Sequence, residues 1–273
     1  MVLSSGFSVH TVMPFRDLFP QPRPLIGMIA LPPMPGYAGF RCMALLRERV
    51  LADLQALEAG GMHGVLLEND FDQPHTLKGA PEVVAAMTHL TGLVVQHARV
   101  PVGVQVLLND WRASLGIAAA TGAQFIRTDF FVDRVRIAAG LIEPEAGPML
   151  AFRSALHAEQ VCILADIQVK YSQPVDGPKP IALSARQAAG AGADAIVVTG
   201  AATGSGPDVG DLLAARIAGM PLLIGSGLTP QNAPYLLAHA DGAIVGTALR
   251  GGPHDPVDVE RVRAVVWASL PLS

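Results

Sequence analysis

Charged side chains follow several short apolar runs of this 273-residue sequence, at the points where buried strands would end. Side chains alternate between the two faces of a strand, so residues two apart share a face. If the fifth apolar run stays extended, Asp166, Gln168 and Lys170 face the same pocket. A carboxylate and an ammonium group in one pocket could serve as base and acid, and Lys170 could also bind an anion or form a Schiff base. The structural alternative is an ion pair between Asp166 and Lys170.

The same two-residue spacing recurs after two other runs, as Glu68 with Asp70 and as Arg127 with Asp129. A carboxylate that ends an apolar strand is costly to bury unless it is paired. We therefore expect Glu68 to contact substrate or metal, whereas Arg127 and Asp129 could simply pair with each other. The catalytic candidates are Asp166, Lys170, Glu68 and Arg127, and the substrate-binding candidates are Asn69, Asn109, Asp129 and Gln168.

Glycines follow the last two apolar runs, as Gly225-Ser226-Gly227 and Gly246-Thr247. Without a side chain in the way, the backbone N–H groups of such loops can approach an anion. In (β/α)₈ barrels the loops after strands seven and eight commonly bind phosphate. We predict a phosphate site built from both loops, with Gly200 and the segment Thr203–Gly206 as a third wall or flap. Tight turns alone are the structural alternative.

Eight apolar runs, each followed by a helical pattern, predict the strands that would position these groups. Such alternation is typical of βαβ units and a parallel sheet, and the chain length suits one (β/α)₈ TIM barrel. We expect the barrel to span residues 25–273 after an N-terminal extension, residues 1–24; a doubly wound open sheet is the alternative. The predicted strands are Leu25–Leu31, Gly64–Glu68, Pro101–Leu107, Phe125–Thr128, Val161–Ile167, Ala195–Thr199, Leu222–Gly225 and Ala243–Gly246.

Helix boundaries are marked by residues with known positional preferences. Gly60 and Gly61 should end a first helix that begins near Cys42, and Pro81 should occupy the first position of the second. Asp110 and Thr229 are candidate N-caps. The last helix should begin near Val257. The longest connections follow strands one, two, four and five, on the face that carries the active site in this fold; they are Pro32–Arg41, Asn69–Ala80, Asp129–Gly147 and Val169–Pro180.

Composition excludes several classes of protein. Hydrophobic residues make up 51% of the chain and charged residues 15%, which suits a sheet buried on both faces. The net charge of −4 disfavours a nucleic-acid partner. Cys42 and Cys162 form no disulfide framework or zinc spacing, so we expect a reducing cytoplasm. We predict no signal peptide and no transmembrane segment; peripheral membrane contact and a homo-oligomer stay open.

An ordered set of motifs between Leu25 and Trp267 resembles the BtpA/SgcQ family. The resemblance implies a ribulose-phosphate-binding-type barrel; some relatives are linked to photosystem I assembly or stability, others are encoded beside sugar-uptake and sugar-metabolism genes, and no settled reaction carries over. The motifs are Leu31–Gly36, Leu66–Asn69, Pro101–Leu107 with Asn109-Asp110, Gly140–Glu143, Ala165–Lys170, Gly225–Gly227 and Asp241–Thr247.

The sequence departs from the family pattern at several positions. Ala30, Gln168 and Tyr171 stand where the family often has histidine, and Gln105 and Leu108 stand where it usually has asparagine and arginine. Imidazoles that could bind metal or move protons are therefore absent. Either the chemistry of this member differs, or its pocket only binds.

We predict an enzyme that acts on a small phosphorylated metabolite, a sugar phosphate or similar, by acid/base or aldol chemistry of the lyase, isomerase or transferase type. No dinucleotide fingerprint follows the first strand, so no redox cofactor is expected. The sequence leaves open a divalent metal such as Mg²⁺ held by carboxylates. The alternatives are a non-catalytic assembly or stability factor for a membrane complex such as photosystem I, and a phosphometabolite sensor.

Overall fold

A computed structural model describes residues 15–270. Eight of its strands are parallel and close into a barrel, which confirms the predicted TIM-barrel fold. In chain order the strands are β1 (Leu25–Ala30), β2 (Gly64–Glu68), β3 (Val102–Gln105), β4 (Phe125–Thr128), β5 (Val135–Ile137), β6 (Gly140–Ile142), β7 (Cys162–Ile167), β8 (Gln173–Pro174), β9 (Ala195–Val198), β10 (Leu222–Ile224) and β11 (Gly242–Val245). Around the barrel they follow the order β1-β11-β10-β9-β7-β4-β3-β2.

One short helix precedes the first strand and lies at the amino end of the barrel, and the other helices cover the outside and follow strands. In chain order the helices are α1 (Phe15–Leu18), α2 (Met43–Gly60), α3 (Pro81–His97), α4 (Trp111–Thr121), α5 (Ala146–Ala155), α6 (Ile181–Gly190), α7 (Val209–Ala215), α8 (Ala233–Leu236) and α9 (Val259–Ala268). Short 3₁₀ helices follow α7 at Arg216–Ala218 and β11 at Thr247–Leu249. The alternating order of strands and helices places every barrel strand's carboxyl end on one face.

Most predicted boundaries agree with the structure. Gly61 ends α2 with a φ of 94°, and Pro81 opens α3. The Asp110 carboxylate accepts a hydrogen bond from the N–H of Ala113 and caps α4. The prediction of Thr229 as an N-cap is wrong, because α8 begins only at Ala233. The Thr229 hydroxyl and the Asn232 amide instead accept each other's backbone N–H groups in the preceding turn.

The third barrel strand is shorter than predicted and ends at Gln105. The next two backbone N–H groups donate to side chains rather than to a neighbouring strand. The N–H of Val106 donates to the Ser114 hydroxyl, and that of Leu107 donates to the Asn69 amide oxygen, 2.7 Å away. The loop after β3 is therefore fastened to its own helix and to the loop after β2.

A small sheet of β6, β5 and β8, which the sequence did not predict, lies in the long connections after β4 and β7. Its strands have two or three residues each, too few to show a hydrophobic period. Arg134 links these connections by donating to Glu143 and to Asp176.

Large apolar side chains fill the barrel interior and close its amino end. Leu66, Phe125 and Leu164 belong to the interior cluster, together with Phe15 and Phe19. The ring of Phe19 lies 5.0 Å from that of Phe15 and 5.7 Å from that of Phe125. Residues 15–24 of the predicted N-terminal extension thus supply the floor of the barrel. Residues 1–14, and residues 271–273 of the predicted barrel domain, lie outside the described part of the chain.

Candidate functional site

The inward face of the strands carries a polar layer at their carboxyl ends. Each charged residue of this layer follows a buried apolar residue by two positions, on the same face of its strand. Glu68 follows Leu66, Arg127 follows Phe125 and Asp166 follows Leu164. The register pairs Glu68 with Gln105, and Arg127 with Leu164, the residue two before Asp166. Strand alternation therefore brings the charges that the sequence singled out into one layer at the barrel mouth.

Arg127 is the centre of this charge cluster. Its Nε donates to Asp166 Oδ2 at 2.7 Å and its Nη2 to Asp166 Oδ1 at 3.0 Å, a bidentate pair. Its Nη1 donates to Glu68 Oε1 at 3.1 Å. The sequence left open a pair between Arg127 and Asp129, or between Asp166 and Lys170. The structure corrects both, because Arg127 pairs with Asp166 and Glu68.

Glu68 is a buried carboxyl group whose proton affinity suits acid/base chemistry at neutral pH. Burial, together with the charges of neighbouring aspartates, raises its pKa to about 7 against the lowering effect of Arg127. A pKa near the working pH is the most useful value for a general acid or base. Among residues 15–270 its only hydrogen-bond partner is Arg127, through Oε1, which leaves Oε2 for another group.

Asp129 stands beside this cluster with Gln105. Burial and the charge of Asp166 raise the pKa of Asp129 to about 6, against the lowering effects of Arg127, of the Gln105 hydrogen bond and of Lys170. The Gln105 amide Nε2 donates to Asp129 Oδ1 at 2.7 Å. We did not include Gln105 among the candidates, although it is a polar residue that ends an apolar strand as Glu68 does.

Two buried oxygen atoms of this layer lack a hydrogen-bond partner within the described residues. They are Oε1 of Gln105 and Oγ1 of Thr199, the residue after β9. A buried oxygen without a donor costs about 1–3 kcal/mol. Both atoms are shielded from solvent by the protein, so a ligand with hydrogen-bond donors would reach them only after neighbouring side chains move.

The condition that would align Gln168 and Lys170 with Asp166, a fifth strand extended through Lys170, is not met. The strand, β7, ends at Ile167, and Gln168 has a φ of 49°. The N–H of Gln168 donates to Asp133 at 2.8 Å, and its side chain donates to the carbonyl of Lys179 at 2.7 Å. This turn directs the Gln168 side chain to the next helix instead of aligning it with Asp166. Lys170 is half-buried, and its charge lowers the pKa of Asp129.

Two predicted substrate contacts, Asn69 and Asn109, hold loops together. The Asn69 amide donates to Asp72 Oδ2 at 2.9 Å and accepts from the N–H of Leu107, so both of its ends are used. The Asn109 amide oxygen accepts from the Thr128 hydroxyl at 3.1 Å. The Asn69 side chain thus uses both its amide nitrogen and its amide oxygen in bonds within the protein. The amide nitrogen of Asn109, in contrast, has no acceptor among residues 15–270.

The glycine loops contain backbone N–H groups that the protein does not use. Within residues 15–270, no carbonyl accepts from the N–H of Ser226, Gly227, Gly246 or Thr247. Gly200 and Gly225 differ, which corrects our expectation for their amides. The N–H of Gly225 donates to the Val198 carbonyl at 2.8 Å, and that of Gly200 to the Ser226 hydroxyl at 3.1 Å.

Packing within the barrel explains why glycine stands at these positions. A Cβ on Gly227 would lie 2.0 Å from the carbonyl carbon of Ser205, and one on Gly200 would lie 2.2 Å from its oxygen. The segment Thr203–Gly206 therefore packs directly on the loop after β10, as a wall. Its position is also braced by Tyr171, whose hydroxyl accepts from the N–H of Thr203 at 3.1 Å.

Gly225 connects the loop after β10 to the charge cluster. It occupies an inward position two residues after Leu223, at the level where other strands carry charged side chains. A Cβ there would lie 3.2 Å from Nη2 of Arg127 and 2.7 Å from Cγ2 of Thr199. The missing side chain gives the Arg127 guanidinium the space in which it reaches Asp166.

A cavity of about 620 Å³ opens between the connections after β4 and β7, beside the small sheet. Gln168 lines it, together with the Asp133–Lys179 ion pair, whose atoms are 2.6 Å apart. No group of three or more His, Cys, Asp or Glu side chains in residues 15–270 is arranged to hold a metal ion. In the same range, no helix has the length and apolar character needed to cross a bilayer.

Comparisons with known proteins agree with this architecture. A family model described as the BtpA family matches residues 21–269. The photosystem I biogenesis protein BtpA of a Synechocystis strain is 37% identical, with 94% of this chain and 91% of that protein covered. Among solved structures, N-(5'-phosphoribosyl)anthranilate isomerase from Pyrococcus furiosus matches with a TM-score of 0.55 at 10% identity, covering 90% of this chain and 98% of that one. An archaeal fructose 1,6-bisphosphate aldolase matches with a TM-score of 0.53 at 16% identity, covering 93% and 97%.

Proposed function

The chain belongs to the BtpA family, and from that premise we propose that its barrel is an enzyme for a small phosphorylated metabolite. The observation that carries the proposal is Glu68, a buried carboxyl group with a pKa of about 7 beside a permanently charged guanidinium. Groups with shifted pKa values in barrel mouths are candidates for catalysis. The solved barrels of similar fold include enzymes named for phosphorylated sugars, but that likeness concerns the fold and does not identify a substrate.

The proposed reaction is a proton transfer, alone or as part of an aldol step. Glu68 would take a proton from the substrate, or return one, through Oε2. Arg127 is held in place by Asp166 and would stabilise negative charge that develops on a substrate oxygen. Gln105 Oε1 and Thr199 Oγ1 would accept hydrogen bonds from substrate hydroxyl groups, which supports a sugar-like ligand.

The phosphate group would lie against the loops after β10 and β11. The unused N–H groups of Ser226, Gly227, Gly246 and Thr247 support this assignment, because a phosphate accepts several such hydrogen bonds at once. Gly200 and Gly225 would shape the wall rather than donate. Lys170 and Asp129 would contact the part of the substrate beyond Glu68, and Mg²⁺ bound together with a substrate phosphate fits this proposal as well.

Thr247→Asp is expected to remove most of the response to phosphorylated ligands. Thr247 is exposed, so the new carboxylate should not disturb folding, but it would place negative charge beside the proposed phosphate. At a few ångströms this repulsion is worth about 1–4 kcal/mol, or roughly fivefold or more in affinity. The measurement is a thermal-shift screen against sugar phosphates and other phosphorylated metabolites.

The control for this variant is Ala264→Asp, which adds the same charge on the exposed surface of α9. It should respond to ligands as the wild type does. Equal ligand responses of wild type, Thr247→Asp and Ala264→Asp would show that the phosphate does not bind at these loops.

A second candidate function is assembly of a membrane complex without catalysis. It is favoured by the 37% identity to a photosystem I biogenesis protein. The test is restoration of photosystem I levels in a Synechocystis strain that lacks the relative. If assembly depends on the chemistry of Glu68, we expect the wild-type gene to restore these levels and its Glu68→Gln variant to fail. Full restoration by both genes would favour assembly without chemistry, and the readout is the amount of photosystem I per cell.

A further inference from the structure

A second cavity lies at the opposite end of the barrel from the proposed active site. Its volume is about 300 Å³. Pro24, which precedes β1, and Asp241, which precedes β11, both line it, so it opens at the amino ends of the strands. In barrels of this type the chemistry takes place at the carboxyl ends. A ligand in this cavity would therefore not compete with substrate.

Three arginines and a single carboxylate line this cavity. They are Arg16, Arg23 and Arg216, with Asp241. Guanidinium groups remain charged at any physiological pH. Positive charge is therefore in excess around a space that could hold a small ion.

The carboxylate engages these arginines only weakly. Asp241 Oδ1 lies 3.8 Å from Nη2 of Arg16 and 3.8 Å from Nη1 of Arg216, beyond hydrogen-bond distance. Its other oxygen, Oδ2, accepts from the N–H of Leu222 at 2.9 Å. The half-buried Arg23 makes no ion pair or side-chain hydrogen bond with any residue from 15 to 270. Within residues 15–270, all three guanidinium groups thus keep donors for another acceptor.

The cavity has an apolar floor and a charged rim. Phe15 and Phe19 line it, and both are buried, whereas the side chains of Arg16 and Arg216 are 71% and 43% exposed. Solvent and salt therefore screen the attraction of these arginines for an anion, and binding should be strongest at low ionic strength. The planar guanidinium fork matches the oxygens of a phosphate group and can bind them in a bidentate manner.

We propose that this cavity, formed by Arg16, Arg23, Arg216 and Asp241, is a binding site for a phosphate-bearing anion, distinct from the glycine loops. A free phosphorylated compound and a phospholipid headgroup present the same chemistry. The site would regulate the protein or tether it, because it lies away from the reacting groups.

Pyrophosphate is a suitable probe, with binding measured by isothermal titration calorimetry at low ionic strength. Arg23→Gln and Arg216→Gln should each weaken the binding at this site at least tenfold, since each removes a charged donor. Asp241→Asn should tighten it, because it removes the competing negative charge. Arg263→Gln, on the exposed surface of α9 beside Glu260, is the matched control and should leave binding unchanged.

Pyrophosphate could also bind at the glycine loops, so Thr247→Asp serves as the separating variant. Binding that survives Thr247→Asp but is lost in Arg23→Gln and Arg216→Gln supports the proposal. Binding that is lost only in Thr247→Asp, or no binding at all, overturns it. The thermal midpoint of each variant checks that it has folded.

Vesicle sedimentation distinguishes the two sources of phosphate. Wild-type protein that binds vesicles containing phosphatidic acid, but not pure phosphatidylcholine, and loses this binding in Arg23→Gln, would assign the site to a headgroup. Pyrophosphate binding without vesicle binding would assign it to a soluble anion. Vesicle binding that Arg23→Gln and Arg216→Gln do not change would contradict the headgroup assignment.

Discussion

Glu68→Gln is expected to lower turnover of the proposed substrate by about 10²–10⁴-fold while it makes the protein more stable above neutral pH. Glutamine has nearly the same shape and still accepts a hydrogen bond from Arg127 Nη1, but it cannot exchange a proton. An active-site carboxyl group whose removal stabilises the fold indicates a residue that is retained for chemistry. Turnover and the free energy of unfolding are the two measurements.

The stability gain should depend on pH. The folded protein holds the Glu68 proton up to a pH of about 7, whereas the unfolded chain releases it near 4.5, the ordinary value. Between these values the folded state binds more protons, so the free energy of unfolding of the wild type falls as the pH rises. The shift corresponds to a cost on the order of 3 kcal/mol at pH 8. Glu68→Gln should remove this cost, and the difference should vanish below about pH 4.5.

Urea unfolding between pH 4 and pH 8 measures this effect. Glu260→Gln is the control, because Glu260 is exposed on α9 and should show no such pH-dependent gain. A Glu68→Gln variant that is less stable than wild type at pH 8, or that keeps full turnover, would contradict the assignment of Glu68 as a buried acid/base group.

The sequence was sufficient to place Glu68, Arg127 and Asp166 at one end of a barrel. Each lies near the end of an apolar run that predicts a strand. Because side chains alternate along a strand, each must face inward two residues after an inward apolar side chain. A run of buried apolar residues between Gly or Pro turns also leaves little freedom in where a strand begins and ends. The long connections after strands one, two, four and five were located for the same reason.

The partners of these residues could not be predicted, because they depend on how the barrel closes. Arg127 and Asp166 are 39 residues apart, and only the pairing of β4 with β7 makes them neighbours. Asp129 is nearer in the chain, but it follows the strand and bonds Gln105. Likewise the break at Gln168 is held by Asp133, which lies 35 residues earlier in a loop without regular structure.

The glycine loops show a second limit of prediction from sequence. A sequence cannot tell whether glycine stands at a position to admit a ligand or to admit another part of the protein. At Gly227 and Gly200 the neighbouring backbone of Ser205 requires it, and at Gly225 the guanidinium of Arg127 benefits. The N–H groups of Ser226, Gly227, Gly246 and Thr247, which donate to no acceptor within residues 15–270, are what remain for an anion.

Arg127→Met is expected to destabilise the protein by about 3–5 kcal/mol, the largest loss that any single change at this site should cause. Methionine fills part of the space, but Asp166 and Glu68 would be left buried without a counter-charge. Since Arg127 lowers the pKa of Glu68, its removal should raise that pKa further. The variant should therefore lose more stability at pH 8 than at pH 5.

Arg153→Met is the matched control for this loss. Arg153 is buried as Arg127 is, and it donates to Asp194 at 2.9 Å and to the Val161 carbonyl at the amino end of the barrel. We expect a comparable loss of stability from Arg153→Met, with an unchanged affinity for phosphorylated ligands in the fraction that stays folded. Arg127→Met should lose both stability and affinity for phosphorylated ligands, because Arg127 lies between the reacting carboxyl group and the loop at Gly225.

Removing the buried carboxylates together with Arg127 tests the electrostatic cause of the loss. The triple variant Arg127→Met, Glu68→Gln, Asp166→Asn removes the charge of both carboxylates that Arg127 bonds, so it should recover most of the lost stability and none of the turnover. Recovery would mean that the buried carboxylates left without a counter-charge, rather than lost packing, cause the loss in Arg127→Met. If the triple variant is no more stable than Arg127→Met, packing of the guanidinium rather than its charge holds the barrel mouth together.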